Sequence, residues 1–430
     1  MPSNLNKDPT LVMKFGGTSV GDPDAVSRAV DIISHARADW PRLVVVTSAM
    51  SGVTNLLLEG AAHSVRGDID FVNQAAVRLL GKHTEVLDAL LPDQDSRVAV
   101  KGDIAQLVES FTSLCNAVSV LGEATPRVLD AVASIGERLS VRMLAAVANS
   151  RKIRAKYVEA TQLIITDRVF QSAHPNFDLT VEATRRVLGP VLSAGEIPIV
   201  TGFLAATPEG VTITLGRGGS DYSAAILGAA LPADEVWIWT DVDGVMSADP
   251  RLVPDAKTIP ELSYREIAEL AYFGAKVVHP KTIRPVIEAG IGLRVCNTFN
   301  PDHPGTFLVA DTKTNSNGAI KAVTAIRGQS LITIEGPHAD ARALGACEEC
   351  HCRGRDGLEV RSLPHGGRAC ERRRVQGQGR RAIARVDGRP GHRCGDRFRV
   401  QRRYDRGGDS FPQQRRTAHA ARGPGKGIPC

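Results

Sequence analysis

The sequence lacks any run of about 18 apolar residues, so it predicts no membrane-spanning helix. Its first nine residues are polar and do not contain the apolar stretch of a secretory signal peptide. Cysteine is scarce over the first 340 residues, where only Cys115 and Cys296 occur, which is typical of a reducing compartment. These absences predict a cytoplasmic globular protein, and 430 residues allow more than one domain.

Lysine is almost absent from the last 90 residues, whereas arginine is abundant there. Residues 341–430 contain 21 Arg and 1 Lys against 9 acidic residues, a net charge of +13. The first 340 residues carry 31 basic and 38 acidic side chains, a net charge of −7, so the overall charge of +6 comes from the tail. The tail also holds six of the eight cysteines, and its apolar residues are too few to form a core.

Three interpretations of this arginine-rich tail remain open. A zinc module is suggested by Cys347, Cys350, His351 and Cys352, but their spacing fits no paired-ligand pattern. A nucleic-acid-binding tail fits the charge, yet lysine and stacking aromatic residues are missing. The composition is most typical of a GC-rich coding strand that is translated out of frame, which we favour over the other two.

The leading functional motif reads Lys-Phe-Gly-Gly-Thr-Ser-Val at positions 14–20 and follows a short apolar run. Adjacent Gly16 and Gly17 let the backbone bend tightly and come close to a ligand, since neither has a Cβ atom. Backbone amides at such a strand-to-helix turn favour a phosphate, and Lys14 can reach the same anion. The alternative is an ordinary turn with a solvated lysine. The chain has neither the P-loop sequence nor the dinucleotide-binding glycine pattern.

A second glycine turn, Gly-Arg-Gly-Gly-Ser-Asp-Tyr-Ser at positions 216–223, follows a predicted strand and precedes a helix of small residues. Arg217 presents a planar fork that suits a carboxylate or a phosphate, and Asp221 could orient a lysine or a metal ion. Two glycine turns at strand ends, each with a cation, favour a site for phosphate transfer.

The alternation of strands and helices predicts an α/β protein with ligands at the carboxyl ends of its strands. A helix is predicted after Asp22, its N-cap, and residues 56–150 are predicted to be mostly helical. Strands are predicted at 42–48, 197–203, 211–215, 235–240, 292–298, 319–327 and 330–335, and further helices at 264–273 and 277–289.

Several single residues also stand out. Gly136 lies inside a helical pattern, which indicates close approach of a ligand or of another backbone, and Glu137 beside it could bind a cation or could be a solvated surface residue. Asp241 and Asp243 follow a strand but lack the EF-hand spacing. Lys276 at a helix start opposes the helix dipole unless an anion is bound there. His279 we interpret as structural.

Six motifs, in this order, resemble those of the aspartokinases within the amino-acid-kinase fold family, and the likeness covers about residues 10–336. They are Lys-Phe-Gly-Gly-Thr-Ser-Val at 14–20, Ser-Gly-Val-Thr-Asn at 51–55, Ile-Gly-Glu-Arg-Leu-Ser at 135–140, Leu-Gly-Arg-Gly-Gly-Ser-Asp-Tyr-Ser at 215–223, Trp-Thr-Asp-Val-Asp-Gly-Val at 239–245 and Phe-Gly-Ala-Lys-Val-Val-His-Pro at 273–280.

The resemblance implies a three-layer αβα sandwich around a mostly parallel sheet, with a catalytic domain at 10–310. It implies ATP- and Mg²⁺-dependent phosphorylation of the L-aspartate side-chain carboxylate, the first step of lysine, threonine and methionine biosynthesis. By motif match, the implied catalytic residues are Lys14, Arg217 and Asp221. The implied nucleotide-binding residues are Lys14, Gly16, Gly17, Ser19, Thr240, Asp241, Met246, Arg251 and Lys276. The implied substrate-binding residues are Thr54, Glu137, Arg217 and Ser220, and no metal is held by the protein alone.

Two departures from the family pattern matter. Met246 stands where the family usually has tyrosine near the nucleotide base, which predicts altered ATP affinity rather than lost activity. The family also carries two ACT regulatory domains that bind end-product amino acids and pair the subunits. Here only a remnant of the first, an α+β start at 319–340, is recognisable, and 341–430 is predicted to be disordered. The homodimer contact and feedback inhibition are therefore in doubt.

Other functions also remain open. Another amino-acid or nucleotide kinase of the same fold is one alternative, although the motifs around Glu137 and Arg217 favour aspartate. A catalytically impaired product with an arginine-rich tail that binds nucleic acid is a second alternative, and we expect neither nucleic acid nor a membrane as a partner.

Overall fold

The computed structural model describes residues 8–272, 278, 280–310 and 320–324, together with four short strands of the C-terminal region. The chain divides into two compact units, Met1–Ala325 and Ile326–Cys430. The described part of the second unit consists of Leu331–Thr333 paired in parallel with Glu359–Arg361, and Ile383–Arg385 paired antiparallel with Arg399–Gln401.

The first unit alternates strands and helices along the chain. Its strands are β1 Thr10–Phe15, β2 Arg42–Thr47, β3 Ala155–Val158, β4 Ile197–Thr201, β5 Leu204–Ala206, β6 Thr212–Thr214, β7 Glu235–Thr240, β8 Glu261–Ser263, β9 Gly292–Asn297 and β10 Thr306–Val309. Its helices are α1 Pro23–Asp39, α2 Val53–Val65, α3 Ile69–Leu90, α4 Gln94–Leu121, α5 Pro126–Ser150, α6 Phe177–Ser193, α7 Gly219–Ala230, α8 Tyr264–Tyr272 and α9 Pro280–Ala289.

Eight of these strands form one sheet in the order β3-β4-β2-β1-β7-β9-β10-β8, and β5 and β6 form a separate hairpin. Every pair in the large sheet is parallel except β9 with β10. Along β1 the side chains alternate between two cores: Leu11 and Met13 pack with α1 to α5, whereas Val12 packs with α6 to α9 on the other face. This confirms the predicted three-layer αβα architecture, because a parallel sheet needs helices on both faces.

The strand register brings several chain reversals to one edge of the sheet. The last residue of β1, Phe15, lies opposite Thr47 of β2 and Trp239 of β7. Thr47 in turn lies opposite Thr201 of β4, and Thr240 opposite Asn297 of β9. The loops that follow these five strands therefore share the carboxyl edge, where ligands bind in open α/β sheets.

Local sequence signals account for most element boundaries. Asp22 caps α1 by accepting a hydrogen bond from the amide of Ala25, with Pro23 at the first helical position, as predicted. The predicted helical stretch 56–150 is confirmed as the four helices α2 to α5. The helix predicted at 224–230 begins five residues earlier, at Gly219, so its first turn carries Ser220 and Asp221.

Helix α4 is long and apolar enough to cross a membrane by length and composition, with a mean hydropathy of 1.3 over its most apolar window. Its buried residues recur at helical spacing from Ile104 through Phe111 to Cys115 and pack into the α1–α5 core. An amphipathic core helix passes the same test, so we assign α4 to this core.

The segment predicted as the first strand of a regulatory domain, 319–327, forms no strand within its described residues, 320–324. Instead it packs against earlier parts of the first unit, to which it belongs: the amide of Val323 donates to the carbonyl of Ser247, and Lys321 pairs with Glu266 at 2.8 Å. These long-range contacts replace the strand that the local pattern predicted. The second predicted strand is confirmed only at Leu331–Thr333, and most of the tail lies outside the described residues.

Candidate active site

A cleft of about 640 Å³ opens at the carboxyl edge of the sheet, a volume typical of small-molecule sites. Three segments line it: the glycine turn after β1, the loop and first turn of α2 after β2, and the second glycine turn that leads into α7. Helix α5 supplies most of the remaining wall, together with Gln171, Phe203 and Thr214. The predicted residues that line the cleft are Lys14, Gly17, Thr54, Glu137, Arg217, Ser220 and Asp221.

The first glycine turn lies directly against the loop after β2. A Cβ atom on Gly17 would be 2.8 Å from the carbonyl oxygen of Ala49, and the carbonyl of Gly17 accepts a hydrogen bond from the amide of Ser51 at 3.0 Å. The amide of Gly16 donates to the carbonyl of Trp239 at the end of β7. The amide of Gly16 is therefore already hydrogen-bonded. Among the described residues, the amide of Gly17 is the one of the two that is left to bind an anion.

Lys14 forms the centre of the site. Its Nζ atom lies 2.6 Å from Oδ1 of Asp221, although the two residues are 207 positions apart, and both side chains are largely buried. A Cβ atom on Gly16 would lie 3.4 Å from the same Nζ, so the ammonium group sits over the glycine turn. A carboxylate at contact distance keeps this lysine oriented in the cleft, and the ammonium would be free to attract a second anion.

Glu137 is buried, not solvated. It is 3% exposed, and its Oε1 accepts a hydrogen bond from the amide of Ala49 at 3.2 Å. Its Oε2 has no hydrogen-bond partner among the described residues, and burial raises the pKa of this carboxyl to about 8. A buried carboxylate oxygen without a partner at a cleft wall is suited to a cationic group of a ligand.

Gly136, next to Glu137, lies in close packing. A Cβ atom there would be 2.8 Å from the Cβ of Ala49, so the glycine allows α5 to approach the loop after β2. The predicted close approach is thus made by another segment of the chain, and it places Glu137 at the cleft.

Arg217 projects from the second glycine turn. It is exposed, and its guanidinium forms no ion pair or hydrogen bond with the described residues. Arg217 lines the same cleft as Glu137 on α5, and Ser220 follows it at the start of α7. A cleft with a free guanidinium and an unpartnered carboxylate matches a ligand that carries both an anionic and a cationic group.

Four of the other predicted nucleotide-binding residues do not line this cleft: Thr240, Asp241, Met246 and Arg251. Thr240 is the last residue of β7 and Asp241 follows it, beside the first glycine turn, where the Thr240 hydroxyl donates to Asp241. Met246 is half-buried and its sulfur accepts a hydrogen bond from Thr258. Arg251 is exposed and forms a bidentate pair with Asp249. Lys276 and His279 lie outside the described residues.

Ser19 does not face the cleft. It is fully buried, and its hydroxyl accepts a hydrogen bond from Thr298 at 2.7 Å and donates to the carbonyl of Trp239 at 3.4 Å. These contacts link the glycine turn to the ends of β7 and β9. In this structure the Ser19 hydroxyl supports the turn, and its predicted role toward the phosphates stays a prediction.

Several residues that shape the carboxyl edge were not predicted from the sequence. Asn297 and Asn300 both donate their side-chain amides to Oδ1 of Asp243, at 2.8 and 3.0 Å. Asp130 on α5 accepts three hydrogen bonds at the cleft wall. The polar residues at the end of the predicted strand 292–298 could have indicated Asn297 and Asn300. No local sequence pattern distinguishes Asp130.

Comparison with known proteins matches the amino acid kinase family model to residues 9–297. Lysine-sensitive aspartokinase 3 of Escherichia coli is 35% identical over 324 residues, which cover 75% of this chain and 69% of that protein. The aspartokinase of Schizosaccharomyces pombe is 32% identical, with 77% and 67% covered.

Solved structures give the same result. E. coli aspartokinase III in complex with aspartate and ADP has a TM-score of 0.63 and 34% identity, and the match covers 71% of this chain and 65% of that one. Aspartate kinase from Clostridium acetobutylicum has a TM-score of 0.58 and 30% identity, with 73% and 66% covered. The chain thus spans about two thirds of the length of these relatives. With its three-layer fold and its converging glycine turns, it belongs to the amino acid kinase family and, within that family, to the aspartokinases.

Proposed function

We propose that this chain transfers the terminal phosphoryl group of ATP to the side-chain carboxylate of L-aspartate, which gives 4-phospho-L-aspartate and ADP. The observation that carries the proposal is the meeting of Lys14, Glu137 and Arg217 in one cleft, each from a different segment. The E. coli structure matched above holds aspartate and ADP, which supports the same pair of ligands here.

The cleft supplies one group for each charge of aspartate. Glu137 receives the α-ammonium at its unpartnered Oε2, and the fork of Arg217 receives the α-carboxylate. Thr54 and Ser220 complete the pocket with hydroxyl groups. Two opposite charges held at separate points orient the side-chain carboxylate toward Lys14.

A carboxylate is already a nucleophile, so the reaction requires no strong base. One carboxylate oxygen forms a bond to the terminal phosphorus while the bond from phosphorus to the bridging oxygen of ADP breaks, and ADP leaves with that electron pair. The protein has to align two anions and neutralise the charge that spreads over the phosphoryl oxygens. The Lys14 ammonium and the amide of Gly17 carry out this neutralisation, and Asp221 holds Lys14 in place.

The nucleotide occupies the adjoining part of the carboxyl edge. Thr240 ends β7 and Asp241 follows it, beside the glycine turn, and Met246 and Arg251 would extend this side of the site. Lys276, predicted for the same role, lies outside the described residues. Arg251 has to leave Asp249 to reach a phosphate. Mg²⁺ accompanies ATP and adds positive charge at the phosphates. Asp221 could give it one oxygen ligand, which fits an ion held mainly by phosphates and water.

Two assays on the full chain test the proposal: a hydroxamate assay for the acyl phosphate of aspartate, and a coupled assay for ADP release. ADP release should depend on aspartate and should not occur with acetylglutamate or UMP. Turnover with one of those compounds in place of aspartate would instead favour another kinase of this fold. Absence of turnover with all three, from a folded protein that binds ATP, would reject the proposal.

A further inference from the structure

Helix α5 carries a second buried carboxylate, Asp130, which the proposed reaction does not use. It lies seven residues before Glu137, and therefore two turns away on the same face of the helix. Asp130 is 2% exposed and also lines the cleft. The two acidic residues thus lie on one helix, and both line the cleft.

The two carboxylates accept hydrogen bonds from different segments of the cleft wall. Glu137 binds the amide of Ala49, in the loop after β2. Asp130 accepts three hydrogen bonds from the other side: Oδ2 from the amides of Gln171 at 3.0 Å and Thr214 at 3.1 Å, and Oδ1 from the Thr214 hydroxyl at 2.8 Å. These three hydrogen bonds come from Thr214, which precedes the Arg217 turn, and from Gln171, which packs against Gly216 of that turn.

Both segments are held in a constrained geometry. Gln171 has a φ of 66°, a left-handed conformation that a non-glycine residue rarely adopts. Its carbonyl oxygen lies so close to Gly216 that a Cβ atom there would be at 2.6 Å, and Gly216 itself has a φ of 78°. Thr214 is the last residue of β6, and its own carbonyl accepts a hydrogen bond from the amide of Ala173. One carboxylate therefore fastens together the turn at Gln171 and the strand that delivers Arg217.

The free guanidinium of Arg217 makes this anchor important. Since Arg217 makes no ion pair or hydrogen bond with the described residues, its position depends on the backbone of its loop. That backbone is fixed at one end by α7 and at the other by Thr214 and Gln171. Loss of the Asp130 contacts would widen the range of positions that the guanidinium samples.

We propose that Asp130 is a positioning residue that fixes Arg217 at the cleft through Gln171 and Thr214, and thereby sets the affinity for the carboxylate of the amino-acid substrate. The kinetic part of this inference rests on the proposed function. The structural part, the anchoring of the Arg217 loop, stands on the hydrogen bonds alone.

Asp130→Asn is the main variant, because it replaces a charged acceptor of three hydrogen bonds with a neutral amide that has one acceptor oxygen. With that oxygen facing the two backbone amides, the NH₂ group faces the Thr214 hydroxyl, and the hydrogen bonds lose the strength that the charge gives them. We expect KM for aspartate to rise about tenfold, which corresponds to ~1.4 kcal/mol. KM for ATP and kcat should each change less than about threefold, well below the rise expected in KM for aspartate. Asp93→Asn is the matched control, since Asp93 caps α4 far from the cleft and asparagine caps a helix equally well.

A double-mutant cycle separates positioning from general destabilisation. If Asp130 acts through Arg217, adding Asp130→Asn to Arg217→Ala should raise KM for aspartate little beyond the Arg217→Ala value alone. If the two substitutions instead raise KM for aspartate independently, so that their factors multiply, the inference would be overturned. An equal rise in KM for ATP would overturn it as well. Thr214→Val provides a milder second variant that removes only the hydroxyl bond, and it should shift KM for aspartate in the same direction.

Hydrogen exchange tests the anchor without any turnover. In Asp130→Asn, amide exchange should accelerate in peptides that contain Gln171, Thr214 and residues 216–220, and should not change in residues 49–55, which Glu137 holds. Unchanged exchange at 214–220 would reject the inference. If wild-type protein fails to use aspartate, the proposed function fails, while the exchange result still decides whether Asp130 anchors the loop.

Discussion

The buried carboxyl of Glu137 leads to a prediction about stability as well as substrate binding. Its Oε1 accepts one amide hydrogen bond, its Oε2 has no partner among the described residues, and burial raises its pKa from 4.5 to about 8. In the ligand-free fold this group therefore keeps its proton at neutral pH, whereas the unfolded chain releases it near pH 4.5.

The sign of the effect follows from this difference in proton binding. A raised pKa in the folded state contributes stability that is complete below pH 4.5 and is lost as pH rises toward about 8. The difference between the folded and unfolded pKa values corresponds to a loss in the free energy of unfolding on the order of 5 kcal/mol at most. Glu137→Gln keeps the acceptor for the Ala49 amide but does not titrate, so this loss disappears in the variant.

The assay is thermal unfolding of ligand-free protein between pH 5 and 8.5. The melting temperature of Glu137→Gln minus that of wild type should increase with pH, by up to about 10 °C. Glu85→Gln, at an exposed position on α3, is the matched control and should show no such trend. A difference between Glu137→Gln and wild type that stays constant across this pH range would refute the reasoning.

The same group should also link substrate binding to protons. A substrate ammonium beside Oε2 favours the ionised carboxylate, so aspartate binding at pH 7 should release a proton from wild type. Calorimetry in two buffers of different ionisation enthalpy measures that release. Glu137→Gln should lose affinity for aspartate and show no buffer dependence, and a proton release equal to that of wild type would contradict the assignment.

Three further changes test the glycine turn. Lys14→Ala should lower kcat by ~10²–10³ with little change in the circular dichroism spectrum, while Lys101→Ala, which breaks an exposed pair with Asp88, should leave kcat unchanged. Gly17→Ala should force the turn away from Ala49 and reduce kcat more than melting temperature, so wild-type kcat would argue against a close fit. Thr298→Val leaves the Ser19 hydroxyl without its donor and should cost about 1–2 kcal/mol in chemical denaturation, and an unchanged midpoint would contradict a supporting role.

Short-range signals in the sequence were sufficient for much of the fold. The Asp22 cap with Pro23, the apolar run of β2 and the glycine turns all act through residues that are neighbours in the chain. Such signals predicted the parallel sheet and the position of the Lys14 turn. They failed at 320–324, where the apolar pattern indicated a strand but contacts with Ser247 and Glu266 determine the conformation.

The sequence by itself determined which residue types stand at the ends of the strands, because turn geometry and helix capping depend on adjacent residues. Tertiary structure alone decided that Lys14 meets Asp221, that Ser19 is buried beneath Thr298, and that Glu137 lies in the cleft wall rather than in solvent. Those outcomes depend on the register of the central strands and on which side chains are buried. Register and burial both arise from contacts between segments up to 279 residues apart, which no local sequence pattern encodes.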